Sequence, residues 1–340
     1  MFTKKIRIPE PEEVLATLPL PESLKQIKAE RDALVSDVIS GKSDKFIVIV
    51  GPCSAHEAAP VLDYVERLGK LNERVKEKLV LVPRIYTNKP RTKGVGYKGM
   101  FSQPDPTKSE DILKGIYAIR ELNIKAIEAS GLAAADEMLY PANMDYVKDL
   151  ICYHAVGARS SENQLHRLVA SGLDVPVGIK NPMSGSILVL LNSIYAAQSG
   201  QVFKLNSWQV QTDGNPLAHA ILRGAVDGYG NDIPNYHYET VMQVIEGYSK
   251  SDLKNPALII DANHSNSSKK FKQQIRICEE VMQNARYDKD FKKIVKGVMV
   301  ESFIEEGCQA EDKIYGKSIT DPCLGWEDTQ RLILDIAEKV

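Results

Sequence analysis

Four residues far apart in the chain are of the types that together hold a transition metal: Cys53, His264, Glu301 and Asp321. Cys53 is the first side chain delivered after the apolar run Phe46–Val50 and the Gly51-Pro52 break. His264 follows the run Ala257–Asp261, Glu301 ends the run Gly297–Glu301, and Asp321 lies in a Gly- and Ser-containing loop. A thiolate, an imidazole and two carboxylates mix soft and hard donors, which suits Mn, Fe, Co or Zn and suits magnesium poorly. Taken singly, each has an ordinary reading, since a buried cysteine commonly packs as a small hydrophobe and a buried histidine as a satisfied polar group. Their shared place at the ends of apolar runs is what points to one site.

Seven cations form a second group: Arg84, Lys89, Arg91, Lys98, Arg159, Lys180 and Arg223. Surface lysines and arginines are normally just solvated. Arg84, Arg159, Lys180 and Arg223, however, end apolar runs, where an unpaired charge is costly to bury. Cations gathered there imply an anionic substrate carrying phosphate, whose oxygens match the guanidinium fork. Lys89-Pro90-Arg91-Thr92 fits a second anion, with Thr92 adding a hydroxyl. Unaided, these residues reach a metal-assisted enzyme of small phosphorylated metabolites, and not a particular reaction.

The elements that must position them alternate. Short apolar runs at Phe46–Val50, Leu79–Tyr86, Gly131–Glu137, Ala155–Arg159, Val175–Lys180, His219–Arg223, Ala257–Asp261 and Gly297–Glu301 read as strands. Between them, helical spacing is expected over 58–76, 111–121, 144–151, 162–170, 187–197, 238–248 and 269–284, with a closing helix over 327–339. Eight strand-plus-helix units close a (β/α)8 barrel, whose site lies at the C-terminal strand ends. A doubly wound open sheet is the alternative, but Gly51-Pro52-Cys53 is not the phosphate fingerprint such a sheet carries after its first strand. Residues 1–45 read as an N-terminal extension with an interface or regulatory role, extended over Ile6–Pro11 and helical over Ser23–Ser40. Residues 46–340 read as the catalytic barrel, with an inserted β-hairpin at about 198–218, in which the run Val202–Val210 is followed by the turn signal Thr212-Asp213-Gly214-Asn215.

With 43 Lys and Arg against 45 Asp and Glu, the net charge of −2 gives no electrostatic reason to expect nucleic acid or an anionic membrane. Five widely spaced cysteines without a CxxC argue for reduced thiols and a cytoplasmic setting. No apolar stretch resembles a signal peptide or a membrane span.

The motifs together resemble the type I 3-deoxy-D-arabino-heptulosonate 7-phosphate (DAHP) synthases, in the feedback-regulated bacterial and fungal form. They are GPCSAH (51–56), KPRT (89–92), GAR (157–159), HRLVASGL (166–173), PVGIKN (176–181), ILRG (221–224), HSNSSK (264–269), GVMVES (297–302) and YGKSITDPCLGWEDT (315–329). The resemblance implies a transferase that condenses phosphoenolpyruvate with erythrose 4-phosphate and water to DAHP and phosphate, the first step of the shikimate pathway to the aromatic amino acids. It implies one divalent metal ion per subunit, with manganese first and Fe, Co or Zn as alternatives, held by Cys53, His264, Glu301 and Asp321. Arg84, Lys89, Lys98, Ala158 (through its backbone), Arg159, Lys180 and Arg223 would hold phosphoenolpyruvate. Arg91 and Thr92 would meet erythrose 4-phosphate. Lys89, Glu137, Lys180 and His264 would be catalytic, Lys89 as proton donor and Glu137 near the attacking water. An aromatic amino acid inhibitor and a homodimer or homotetramer are also implied.

The chain departs from the family pattern at several places. Asp136 stands before Glu137 where glycine is expected, one extra residue separates Thr92 from Lys98, and Asp174 and Asn181–Ser184 are unusual. The insertion is shorter and the 225–234 loop longer than expected. Asp174 and the insertion lie where the family forms its amino-acid pocket. Three other readings are weighed: the sister enzyme making 3-deoxy-D-manno-octulosonate 8-phosphate, a metal-dependent aldolase of another family, and a non-catalytic regulatory barrel. Lys89-Pro90-Arg91-Thr92 argues against the first, the full set of cations against the second, and the intact metal-ligand types against the third.

Overall fold

Eight short apolar runs pair side by side as parallel strands in the computed structural model, which describes residues 1–311 and 313–340. They are β1 (Phe46–Gly51), β2 (Leu79–Pro83), β3 (Ala134–Glu137), β4 (Ile151–Val156), β5 (Val177–Lys180), β6 (Ala218–Leu222), β7 (Leu258–Asp261) and β8 (Val295–Glu301). The ladder runs β2-β1-β8-β7-β6-β5-β4-β3. Its two ends meet through a parallel bridge between Arg84 and Ala135, and the Ile85 N–H donates to the Ala135 carbonyl at 3.0 Å. The sheet is therefore a closed (β/α)8 barrel, and the open-sheet alternative falls away. Almost every strand residue is buried, as expected for parallel strands covered on both faces.

Helices cover the barrel because their apolar residues recur at helical spacing. In Ala58–Val75 the buried residues include Val61, Tyr64, Val65, Leu68 and Leu71. The helix Ile112–Ser130 opens on Asp111, whose carboxylate accepts the Lys114 N–H, and closes on Gly131 at φ 65°. It runs past the expected end at residue 121 because Ile124 and Ile127 continue its buried face. The pairing of Gly51 with Glu301 sets β1 and β8 level at their C-terminal ends. A Cβ on Gly51 would lie 2.4 Å from the Arg84 carbonyl oxygen, so only glycine lets β1 and β2 approach there.

Several expectations are corrected. No helix follows β3 over 144–151; a single 3₁₀ segment, Pro141–Tyr146, leads into β4 at Ile151 rather than at Ala155. The polar His154 and the Tyr153 hydroxyl interrupt the run Ile151–Val156 and disguise it as something other than a buried strand. Pro11 opens the helix α1 (Pro11–Thr17) instead of ending an extended arm, because proline is tolerated in a first helical turn. The helix expected from residue 269 begins at Gln273, after a one-turn helix, His264–Ser267, and left-handed Ser268 and Lys269. Small two-stranded pieces at 225–233 and 305–318 were not foreseen.

The expected hairpin is present as Gln201–Leu205 paired antiparallel with Trp208–Thr212, outside the barrel sheet. The helix α2 (Glu22–Ile39) packs on β1 and β4. Arg120 pins the segment between α1 and α2: its buried guanidinium donates to the Leu18 carbonyl at 2.8 Å and pairs with Asp149 at 2.7 Å. No described helix is long and apolar enough to cross a membrane.

Inside the barrel, His219 sits between the Leu217 carbonyl, 2.8 Å from Nδ1, and the Tyr153 hydroxyl, 2.8 Å from Nε2. A carbonyl only accepts, so Nδ1 carries the proton and Nε2 accepts from tyrosine; the ring is neutral. Burial lowers its pKa from 6.5 to about 4. The folded state then binds fewer protons than the unfolded chain between those values, so stability is lost as pH falls below 6.5. Urea unfolding of the wild type should weaken by up to about 1.4 kcal/mol per pH unit in that window relative to His219→Gln; parallel pH dependence in the two proteins would contradict this.

Candidate active site

The C-terminal strand ends enclose a cavity of about 350 Å³. Cys53, Arg84, Lys89, Arg91, Thr92, Glu137, Ala158, Arg159, Lys180, Arg223, His264 and Asp321 all line it. Glu301 lies beside it, buried at 1% exposure against Arg84. Lys98 is the exception among the residues singled out in the sequence. Its ammonium pairs with Glu110 at 2.5 Å on the surface and does not line the cavity. It sits on the long loop after β2, where burial at a strand end exerts no control.

Cys53 Sγ and carboxylate oxygens of Glu301 and Asp321 lie within 4.8 Å of one another, a spacing that a single metal ion can bridge. His264 stands at the edge of this cluster, with Nε2 3.9 Å from Glu301 Oε1 and Nδ1 2.8 Å from Asp261 Oδ2. Its backbone is left-handed, at φ 46°, a conformation seldom adopted without glycine and found disproportionately at functional positions. Two ammonium groups compensate the anionic donors. Lys89 Nζ lies 2.7 Å from Cys53 Sγ and 2.9 Å from Asp321 Oδ2, and Lys269 Nζ lies 2.8 Å from Asp321 Oδ1.

These neighbours set the protonation states. Burial would raise the Asp321 carboxyl, but Lys89 and Lys269 outweigh it and hold the group well below the usual carboxylate range. Burial and the Glu301 carboxylate push the Cys53 thiol up to about 11, against the pull of Lys89. Burial would discharge Lys89, yet Cys53, Asp321 and Glu301 raise its pKa and keep it an ammonium. The donor set fits a divalent cation: a thiol that is too weakly acidic alone becomes a ligand when a metal replaces its proton.

Arg84, Lys180 and Arg223 are each held by acceptors around the cavity. Arg84 pairs with Glu301 at 2.9 Å, donates to the Pro52 carbonyl and lies 3.6 Å over the Tyr86 ring. Lys180 pairs with Asp261 at 2.8 Å, and the same carboxylate faces His264. Burial would raise the Asp261 carboxyl, but His264 and Lys180 hold it well below its usual range. Arg223 donates to Ser265 Oγ at 3.0 Å, leaving part of its fork toward the cavity. Glu137 lies against Gly157, where an added Cβ would stand 2.1 Å from Glu137 Oε1. The cavity thus has a metal-type corner, a cationic wall and a carboxylate at its edge.

Sequence reasoning missed Asp261, Lys269 and Asn263, whose side-chain N–H donates to Glu301 Oε2 at 2.5 Å. Asp261 was findable, because it ends the apolar run ALIID just as Arg84 ends its own. Lys269 lies inside the quoted motif HSNSSK, but nothing in its spacing singles it out.

The chain matches the family model of the DAHP synthetase I family over residues 21–333. It is 40% identical over 315 residues to the Trp-sensitive phospho-2-dehydro-3-deoxyheptonate aldolase of Enterobacter agglomerans, covering 90% of this chain and 87% of that protein. It is 39% identical over 340 residues to the Phe-sensitive enzyme of that name from Escherichia coli (strain K12), covering 97% and 93%. A solved phospho-2-dehydro-3-deoxyheptonate aldolase from Francisella tularensis SCHU S4 superposes with a TM-score of 0.92 at 30% identity, over 100% of this chain and 98% of that one. Strand order, site and similarity agree, and the chain belongs to the DAHP synthetase I family.

Proposed function

We propose that this protein is a DAHP synthase, joining phosphoenolpyruvate to erythrose 4-phosphate with water and releasing phosphate. The observation that carries the reading is the single cavity in which a Cys/His/carboxylate cluster adjoins Lys89 and a wall of arginines and Lys180. Cys53, His264, Glu301 and Asp321 would hold one divalent metal ion, with manganese the first choice. Bound there, the metal supplies Lewis acidity to the aldehyde oxygen of erythrose 4-phosphate.

The remaining work falls to the chain's own residues. Arg84, Arg159, Lys180 and Arg223 bind the phosphate and carboxylate of phosphoenolpyruvate by charge-assisted hydrogen bonds, with the Ala158 backbone beside them. Arg91 and Thr92 take the phosphate of the aldose. C3 of phosphoenolpyruvate then bonds to the aldehyde carbon, and Lys89 Nζ delivers a proton to the oxygen that becomes a hydroxyl. Glu137 takes a proton from the water that adds at C2, and the C2–O bond breaks to expel phosphate. Lys180 and His264 share Asp261, which fixes both toward the reacting atoms. Lys98 joins phosphoenolpyruvate only if its loop exchanges the Glu110 pair for substrate.

An aromatic amino acid is the proposed regulator. A second cavity, of about 750 Å³, lies between the N-terminal helices, the outer side of β4 and the hairpin. Leu173, Phe203, Leu205 and Val210 offer apolar contact, and Lys25, Lys28, Asp32 and Asp174 offer both signs of charge to a zwitterion. Near-equal identity to Trp- and Phe-sensitive relatives leaves the effector to experiment. The reading includes a homodimer or homotetramer in the cytoplasm, with the exposed Phe2 and Ile6 of the N-terminal arm packed on a neighbour.

Phosphate release from the two substrates should vanish on chelation and return with Mn²⁺; release with arabinose 5-phosphate instead would move the assignment to the octulosonate enzyme. One of phenylalanine, tyrosine or tryptophan should inhibit, and indifference to all three would reject the effector pocket. Glu137→Gln and Lys89→Met should each cost about 100-fold or more in turnover. Gly157→Ala should melt like the wild type, because only the tip of Glu137 must move, yet lose about 10- to 100-fold in turnover. Near-normal turnover in any of the three would remove the role assigned to that residue.

A further inference from the structure

Asp136 is a buried carboxyl, 4% exposed, that the chemistry above does not use. Its Oδ1 accepts the backbone N–H of Thr87 at 2.9 Å and that of Glu137 at 2.7 Å, and its Oδ2 accepts the Thr87 hydroxyl at 2.5 Å. Thr87 opens the loop that carries Lys89, Arg91 and Thr92. Glu137 is the next residue on β3. One side chain therefore ties the strand end presenting Glu137 to the loop presenting Lys89.

The place of this tie matters. The β2–β3 seam is where the barrel closes, through the Arg84–Ala135 bridge and the Ile85 N–H bond to Ala135. Beyond Ile85 the Thr87 N–H turns to the Asp136 side chain, so the carboxyl takes the part of a missing ladder acceptor. The loop then doubles back, with the Thr87 carbonyl accepting from the Phe101 N–H at 3.0 Å and the Lys98 carbonyl from the Lys89 N–H at 3.1 Å. Thr87 is thus held from both sides, once by the loop and once by Asp136.

We propose that Asp136 is a positioning residue, which fixes the Lys89–Thr92 loop relative to Glu137 across the cavity. The kinetic part of this inference rests on the DAHP synthase reading; the structural part does not. Burial pushes the carboxyl up to about 7 against its three hydrogen bonds, and in either protonation state Oδ1 keeps both backbone donors. Asparagine can do the same, and its amide N–H can donate to the Thr87 hydroxyl. Alanine can do none of this.

The test compares wild type, Asp136→Ala and Asp136→Asn in steady-state kinetics with each substrate varied, alongside hydrogen exchange of peptides covering 84–101. Asp136→Ala should lower kcat about 10-fold or more and raise KM for erythrose 4-phosphate several-fold more than KM for phosphoenolpyruvate. The asymmetry is expected because both Arg91 and Thr92 ride on the tied loop, whereas of the phosphoenolpyruvate set only Lys89 does, and Arg159, Lys180 and Arg223 lie at or just beyond the ends of other strands. Exchange should quicken over the 87–99 loop and stay unchanged in β1 and β7. Asp136→Asn should restore most of both readouts. Normal kinetics and exchange in Asp136→Ala would overturn the proposal, as would equal changes in both KM values, faster exchange throughout the barrel, or failure of Asn to rescue. If the wild type turns over neither substrate, the reaction assignment fails while the exchange experiment still decides whether Asp136 holds the loop.

Discussion

The buried ion pair between Arg84 and Glu301 is the contact on which the site's arrangement depends. Both side chains are nearly inaccessible to water and meet at 2.9 Å across the ends of β2 and β8. Arg84 also donates to the Pro52 carbonyl, one residue before Cys53, and lies on Tyr86. Glu301 also accepts from Asn263, one residue before His264. Through this pair the chain segments bearing Cys53 and His264 are tied to the two strands between which β1 runs. Removing one partner would leave an uncompensated buried charge, at a cost of about 3–5 kcal/mol.

The pair also explains how so much charge is tolerated at one end of a barrel. Three acids at the mouth have basic neighbours: Glu301 has Arg84, Asp261 has Lys180, and Asp321 has Lys89 and Lys269. The bases face the cavity as well as the acids, so an anion entering it would meet cations already held in place. Preorganisation of this kind avoids reorganising dipoles and charges during the reaction. The metal-type corner inverts the pattern, because there lysines neutralise anionic donors that a divalent ion would claim.

The fold was legible because a parallel barrel buries both faces of every strand, leaving short continuous apolar runs. Arg84, Lys180 and Glu301 were legible for the same reason: a charge that ends such a run is forced to the barrel mouth. β4 was misplaced because Tyr153 and His154 serve as buried strand residues despite their polar groups, and His219 accepts the Tyr153 hydroxyl inside the barrel. Lys98 could not be placed from sequence, since loop residues are steered by partners such as Glu110 rather than by burial. Lys269 and Asn263 escaped notice because their importance comes from left-handed or irregular backbone around His264, which no periodicity announces.

The central claim is that Cys53 belongs to a metal centre, and cobalt binding tests it most directly. Titrating chelator-treated protein with Co²⁺ should give one ion per chain and an intense thiolate-to-cobalt charge-transfer band in the near ultraviolet. The band should survive in Cys323→Ser and disappear in Cys53→Ser. No such band, or one that depends on Cys323 and not on Cys53, would contradict the account.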